Sequence, residues 1–206
     1  MLRSRLRSDI AHVGQALREP EAFALYWHRN GAPFHWSVFA ALAVTAIAGT
    51  TTYGMVMGMA PGRASDAAAV SGIREVMWAG LACTLAAGIG WSLPLPALYI
   101  LNSLSGSRLR PSTTFLAALV TTSWGGLAMI ASIPIAWFFT LELPSPRAIL
   151  VVHLAVFAAV GVAMIDVFCR VIESLEPDRG RWPGWWLTLV GAIGTELFYA
   201  FGLFSF

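Results

Sequence analysis

The chain has 206 residues, 57% hydrophobic and 12% charged, with a formal net charge of +2 and a mean hydropathy of +0.69. A soluble domain is about 45–50% apolar and about 25% charged, so an ordinary soluble fold is excluded. A net charge this small gives no electrostatic case for nucleic acid as a partner. Several runs exceed the roughly 20 apolar residues that cross a bilayer as helix. The expectation is therefore an all-α, polytopic membrane helix bundle with the lipid bilayer as its first partner. All 13 basic residues are arginine, which fits GC-rich coding better than a function.

At the N-terminus, Leu2, Leu6, Ile10, Val13 and Leu17 fall within about 80° on a helical wheel, with Arg3, Arg5, Arg7 and Arg18 off that arc. This pattern predicts an amphipathic helix lying on the cytoplasmic membrane surface, as an anchor or as a docking element for a partner. Glu19-Pro20-Glu21 then opens a second helix, since proline and acids suit a first turn. That helix carries Phe23, Leu25, Tyr26 and Trp27 into the interface. Residues 1–33 form this cytoplasmic and interfacial region. The first strongly apolar run follows it without an Ala-x-Ala site, so no cleavable leader is expected.

Residues 34–206 are expected to hold five spans, 34–59, 76–104, 113–139, 148–172 and 185–206. Arginine placement orients them. The N-terminal segment and the second-to-third and fourth-to-fifth loops hold ten arginines, and the opposite side holds Arg63, Arg74 and Arg147. The N-terminus is thus expected in the cytoplasm and the C-terminus outside. Tryptophans agree: Trp27, Trp36, Trp182, Trp185 and Trp186 fall at the inner interface, Trp78 and Trp137 near the outer one.

In the first span Gly54 and Gly58 form a GxxxG that lets helix backbones approach; Gly62 extends it. The second span is too long for a straight crossing: about 29 residues make roughly 43 Å of helix against a core of about 30 Å. It contains Pro94 and Pro96, which remove two N–H donors and leave the carbonyls of Gly90 and Ser92 without their usual partners. Either a packed kink results, or a broken helix whose free carbonyls face a polar cavity, as transporters use.

Tyr53-Gly54-Met55-Val56-Met57-Gly58, Pro94-Leu95-Pro96-Ala97-Leu98-Tyr99, the run from Asn102 to Leu109, and Ser132-Ile133-Pro134-Ile135-Ala136-Trp137-Phe138-Phe139 give the chain a likeness. It resembles a group of bacterial multi-pass proteins that look like distant relatives of the Yip/Yif membrane domain. The resemblance covers roughly residues 20–172. It implies about five helices, a cytoplasmic N-terminus in the bacterial cytoplasmic (inner) membrane, and no catalytic site. The trafficking role of the eukaryotic members does not follow from it, because fold does not imply function.

Ionisable residues inside a membrane are functional candidates by default. Asp166 and Arg170 are four apart with the acid first, the favourable order for a helical ion pair, and Glu173 extends that polar face. His153 lies 13 residues before Asp166, about 20 Å along the axis and rotated by about 140°, so a relay between them on one helix is not expected. His153 reads instead as a hydrogen-bonded or interfacial histidine. Glu196 has Ala192 and Ala200 as its i−4 and i+4 neighbours, small residues that would let another helix close over the carboxylate. The expectation is that Glu196 faces protein, with Thr121, Thr122, Ser123 or the backbone near Gly90 and Ser92 as partners. It then acts as a neutral packing acid, as a proton or ion site, or as a contact with a partner subunit.

No HExxH, GxSxG, phosphate loop or CxxC occurs, and no catalytic residue, metal site or cofactor is expected. Cys83 and Cys169 read as small core residues. Two functions remain. The first is a non-catalytic membrane scaffold or accessory subunit, associating with other membrane subunits or with itself. The second is a small proton- or ion-coupled carrier or channel using Glu196 and the proline-broken second span.

Overall fold

The computed structural model describes residues 11–30, 36–60, 69–104, 106–179 and 187–203. The start of the N-terminal apolar stripe (Leu2, Leu6, Ile10), Gly62, and the opening Trp185-Trp186 of the last run lie outside them. Among the described residues there is helix and no strand: α1 (11–18), α2 (Pro20–Asn30), α3 (Trp36–Gly58), α4 (Ala69–Ser92), α5 (Leu95–Leu104), α6 (Pro111–Glu142), α7 (Pro146–Leu175) and α8 (Leu187–Ala200), with a 3₁₀ turn at Pro177–Arg179. Helices α2, α6 and α7 each begin at a proline, where the missing N–H costs nothing and the fixed φ suits helix.

Among the described residues four segments are long and apolar enough to cross a membrane: Trp36–Gly58, Gly72–Leu104, Pro111–Glu142 and Pro146–Leu175. Of the expected fifth span, 185–206, the described helix is α8. It has 14 residues, about 21 Å against a core of about 30 Å. Its end has a local cause. Gly202 takes φ +68°, its N–H donates to Tyr199 O at 2.9 Å, and the Leu203 N–H donates to Phe198 O at 2.9 Å. This is a Schellman motif, which stops a helix where a residue without a Cβ adopts the left-handed region. Gly106 (φ +92°) ends α5 with the same pair of bonds, from Gly106 N to Ser103 O and from Ser107 N to Asn102 O.

The second span breaks at Leu93–Pro94, between α4 and α5. The prolines are the reason. Two lost donors two residues apart strip the carbonyls of Gly90 and Ser92 within one turn, whereas the single Pro134 leaves α6 continuous over 32 residues.

The helices form an arc. α3 is central, packed on α4 along one side and on α6 along the other; α8 extends the arc beyond α4, and α7 extends it beyond α6. Glycines set the spacing. A Cβ on Gly126 would lie 2.7 Å from Thr45 O and 2.9 Å from Ala46 Cα, and Gly49 sits against the Gly126 backbone. A Cβ on Gly54 would meet Ala79 O and Cys83 Cβ, each at 2.6 Å, and one on Gly58 would meet Ala79 Cβ at 2.9 Å. Backbones this close gain dispersion contact along their whole length.

The N-terminal helices pack on the arc. Val13, Ala16 and Leu17 of α1 join Phe23 and Trp27 of α2, Val38 and Leu42 of α3, and Leu116 and Val120 of α6 in one apolar cluster. The part of the stripe expected on lipid is thus turned to protein over residues 13–17, because Leu42, Leu116 and Val120 offer it an apolar surface.

Candidate functional site

The arc does not close by helix contact. α7 packs on α6 and α2, and makes no extended contact with α4 or α8. Side chains bridge the gap instead: Phe157 of α7 meets Phe198 of α8 edge-on with centroids 4.6 Å apart, and Trp91 of α4 meets Phe168 of α7 at 5.9 Å. Between these bridges lies a cavity of about 750 Å³, lined from α3 through α8. Gly90, Trp91, Ser92 and Leu95 bring the α4–α5 break to its wall.

The cavity is apolar rather than polar, against the expectation for a transporter-like break. No Asp, Glu, Arg or His is among the described residues lining it. Its hydroxyls are turned to their own helices: Thr84 Oγ1 donates to Gly80 O at 3.0 Å, Thr122 to Leu119 O at 3.0 Å, and Thr195 to Gly191 O at 2.9 Å. Thr51 and Thr84 hydroxyls also meet at 2.7 Å, tying α3 to α4. Such back-bonded hydroxyls spend their proton on their own helix and present only acceptor lone pairs to a guest.

Glu196 lies outside this cavity. Its side chain is exposed, as are Ala192, Tyr199 and Ala200, so the small residues flank a carboxylate that faces away from the bundle. The reason is the register of α8. Gly194 is the residue set against α4, 3.3 Å from where a Cβ on Gly90 would sit, which turns Glu196 two residues later to the far side. The expected partners are engaged elsewhere. Ser123 Oγ donates to Leu42 O at 2.6 Å, a buried α6–α3 link, and Thr121 Oγ1 donates to Ala117 O at 2.8 Å.

Arg170 Nε donates to Asp166 Oδ2 at 3.0 Å, the intrahelical pair read from spacing. The structure adds a third member: Arg170 Nη1 donates to Glu21 Oε1 at 2.5 Å, which fastens α2 to α7. The Arg170 and Asp166 side chains are 50% and 66% exposed, so this is a surface tie and not a charge relay through the bundle. Nearby in chain order, Glu176 at the end of α7 accepts Ser107 Oγ at 2.8 and 2.9 Å and the Arg108 N–H at 2.8 Å. This clasp holds the α5–α6 loop. Composition gave no cue to it, because the partners are 69 residues apart.

His153 is buried, and the Tyr53 hydroxyl lies 2.9 Å from its Nδ1; which atom donates depends on the tautomer. The rings meet edge-on at 5.6 Å, and Tyr53 meets Phe157 the same way at 5.3 Å. Neither Tyr53 nor His153 lines the cavity; the pair joins α3 to α7. Among the described residues no three His, Cys, Asp or Glu side chains form a group able to hold a metal. Cys83 is buried and Cys169 half-buried, both free thiols.

No family model, no curated protein and no solved structure matches the chain.

Proposed function

We propose that the protein is a non-catalytic integral membrane scaffold or accessory subunit, crossing the bacterial cytoplasmic membrane five times with its N-terminus in the cytoplasm. One observation carries the reading: the acid of the last helix, Glu196, is exposed beside Ala192, Tyr199 and Ala200, while no charged side chain is among the described residues lining the cavity. A carboxylate exposed at bilayer depth is costly in lipid, and small neighbours allow a second helix to approach. A surface of this kind suits association with another membrane subunit or a second copy. The Arg170–Glu21 pair ties α2 to α7, and Glu176, accepting from the Ser107 hydroxyl and the Arg108 backbone N–H, ties the α5–α6 loop to the end of α7, which is architecture rather than chemistry. The Yip/Yif-like motifs of residues 20–172 suit the same role, since they bring no catalytic residue with them.

The carrier reading has less support. It needs Glu196 in a pathway, and the carboxylate sits on the opposite side of α8 from the cavity. The deciding experiment is native mass spectrometry from the source membrane, with wild type and Glu196→Leu compared. A stoichiometric complex is expected for wild type and its loss for the variant, with unchanged unfolding of the isolated bundle. A lone wild-type chain, or proton flux in proteoliposomes that Glu196→Gln abolishes, would reverse the choice.

A further inference from the structure

We infer that the cavity between α4, α6, α7 and α8 holds one acyl chain of a membrane phospholipid, entering sideways through the gap between α7 and α8. The inference rests on the bundle lying in a bilayer and not on the accessory-subunit role.

The mouth faces the side of the bundle. Leu154, Ala158 and Val162 of α7 both line the cavity and are exposed, and so do Gly88 of α4 and Gly191 and Thr195 of α8 across from them. A site whose lining residues are also surface residues along two facing helices opens laterally, where a bilayer presents hydrocarbon. The volume of about 750 Å³ falls within the range of about 300–1,000 Å³ of small-molecule sites. Its long dimension follows the helices. From Leu154 to Ile165 on α7 is roughly 16 Å at 1.5 Å per residue, close to half of the roughly 30 Å hydrocarbon core. A chain lying parallel to the helices fits that shape.

The space is made by missing side chains. A Cβ placed on the lining residues Gly88, Gly161 or Gly191 would meet nothing within 4 Å, unlike Gly49 or Gly54 at the helix contacts. These lining glycines are therefore not explained by close packing. In a bilayer an apolar void of this size open to lipid is filled by the surrounding hydrocarbon, because an empty one forfeits dispersion on every wall. The chemistry inside also selects the guest. With the protons of the Thr84, Thr122 and Thr195 hydroxyls given to their own helices and no charged side chain among the described lining residues, an anionic headgroup would enter without a counter-charge or a donor from these hydroxyls. A plain hydrocarbon chain enters at no such cost.

The test is photo-crosslinking in liposomes of a phospholipid that carries a diazirine on its acyl chain, with the full-length protein and mapping by mass spectrometry. Labels are expected on Trp91 and Phe157 inside the cavity as well as on the outward-facing Trp137 and Phe138. In Gly161→Leu, labelling of Trp91 and Phe157 should fall at least fivefold while Trp137 and Phe138 keep theirs; the unchanged outer labels report an intact fold. Gly191→Leu repeats the test from the other wall. Labels confined to outer side chains would overturn the proposal, as would inner labels that neither variant reduces. Inner labelling by an isoprenoid diazirine but not by the acyl probe would overturn the assignment to phospholipid.

Discussion

Replacing Gly126 by alanine tests whether glycine contact, rather than general hydrophobicity, holds α3 against α6. The added Cβ would lie 2.7 Å from Thr45 O and 2.9 Å from Ala46 Cα. Ordinary contact begins at 3.4 Å, so relief needs a shift of about half an ångström or more between two helix backbones, with no flexible side chain to absorb it. Overpacking of this kind costs about 1–3 kcal/mol. The same shift loosens the Ser123 Oγ–Leu42 O bond, now 2.6 Å and buried, for about another 1 kcal/mol. Alanine's helix propensity returns about 0.5–1 kcal/mol, so the net loss is about 1–3.5 kcal/mol, roughly 5- to 300-fold in the folding equilibrium at 1.4 kcal/mol per factor of ten. Equilibrium unfolding in mixed micelles, or steric trapping in bicelles, measures it. The control is Gly88→Ala, whose Cβ meets nothing within 4 Å and which gains about 0.5–1 kcal/mol of helix propensity. If the two alanine variants unfold alike, close backbone approach is not what sets the α3–α6 distance.

The Glu21–Arg170 tie should behave as a surface ion pair. A double-mutant cycle with Glu21→Gln and Arg170→Gln is expected to give a coupling of about 1 kcal/mol or less, shrinking as salt is raised; a larger, salt-insensitive coupling would mean the pair is more buried than the structure has it. Tyr53→Phe removes the interhelical partner of buried His153 and should cost about 1–3 kcal/mol, read in the same unfolding assay, with no change there showing that the pair contributes nothing to the bundle. For topology, a reporter active only outside the cytoplasm should be active after Phe206 and silent after Arg110. The opposite pattern would remove both the five-span arrangement and the placing of Glu196 at bilayer depth.

Much of the architecture was legible along the chain because bilayer solvation acts on local composition. Four apolar stretches were enough to give four long helices, and Pro94 with Pro96 were enough to give the break between α4 and α5, since both effects need only neighbours in sequence. The Asp166–Arg170 pair is local in the same sense. The extent of α8 was less legible: hydropathy runs on to Phe206, while Gly202 closes the helix after Ala200 through bonds that composition does not weigh.

Relations between helices were decided only in the tertiary structure. The GxxxG at Gly54 and Gly58 could be read as a packing site, but not that α4 covers it, nor that Gly49 and Gly126 make a second close contact. Glu196 shows the difference most plainly. Its small neighbours announced that something could pack there, and the sequence alone favoured this bundle as that something. The register set where Gly194 meets Gly90 instead turns the acid outward. Likewise a GxxxG glycine and a cavity glycine are the same letter. What separates Gly54 from Gly161 is the backbone 2.6 Å away in one case and open space in the other, a difference made by residues distant in sequence.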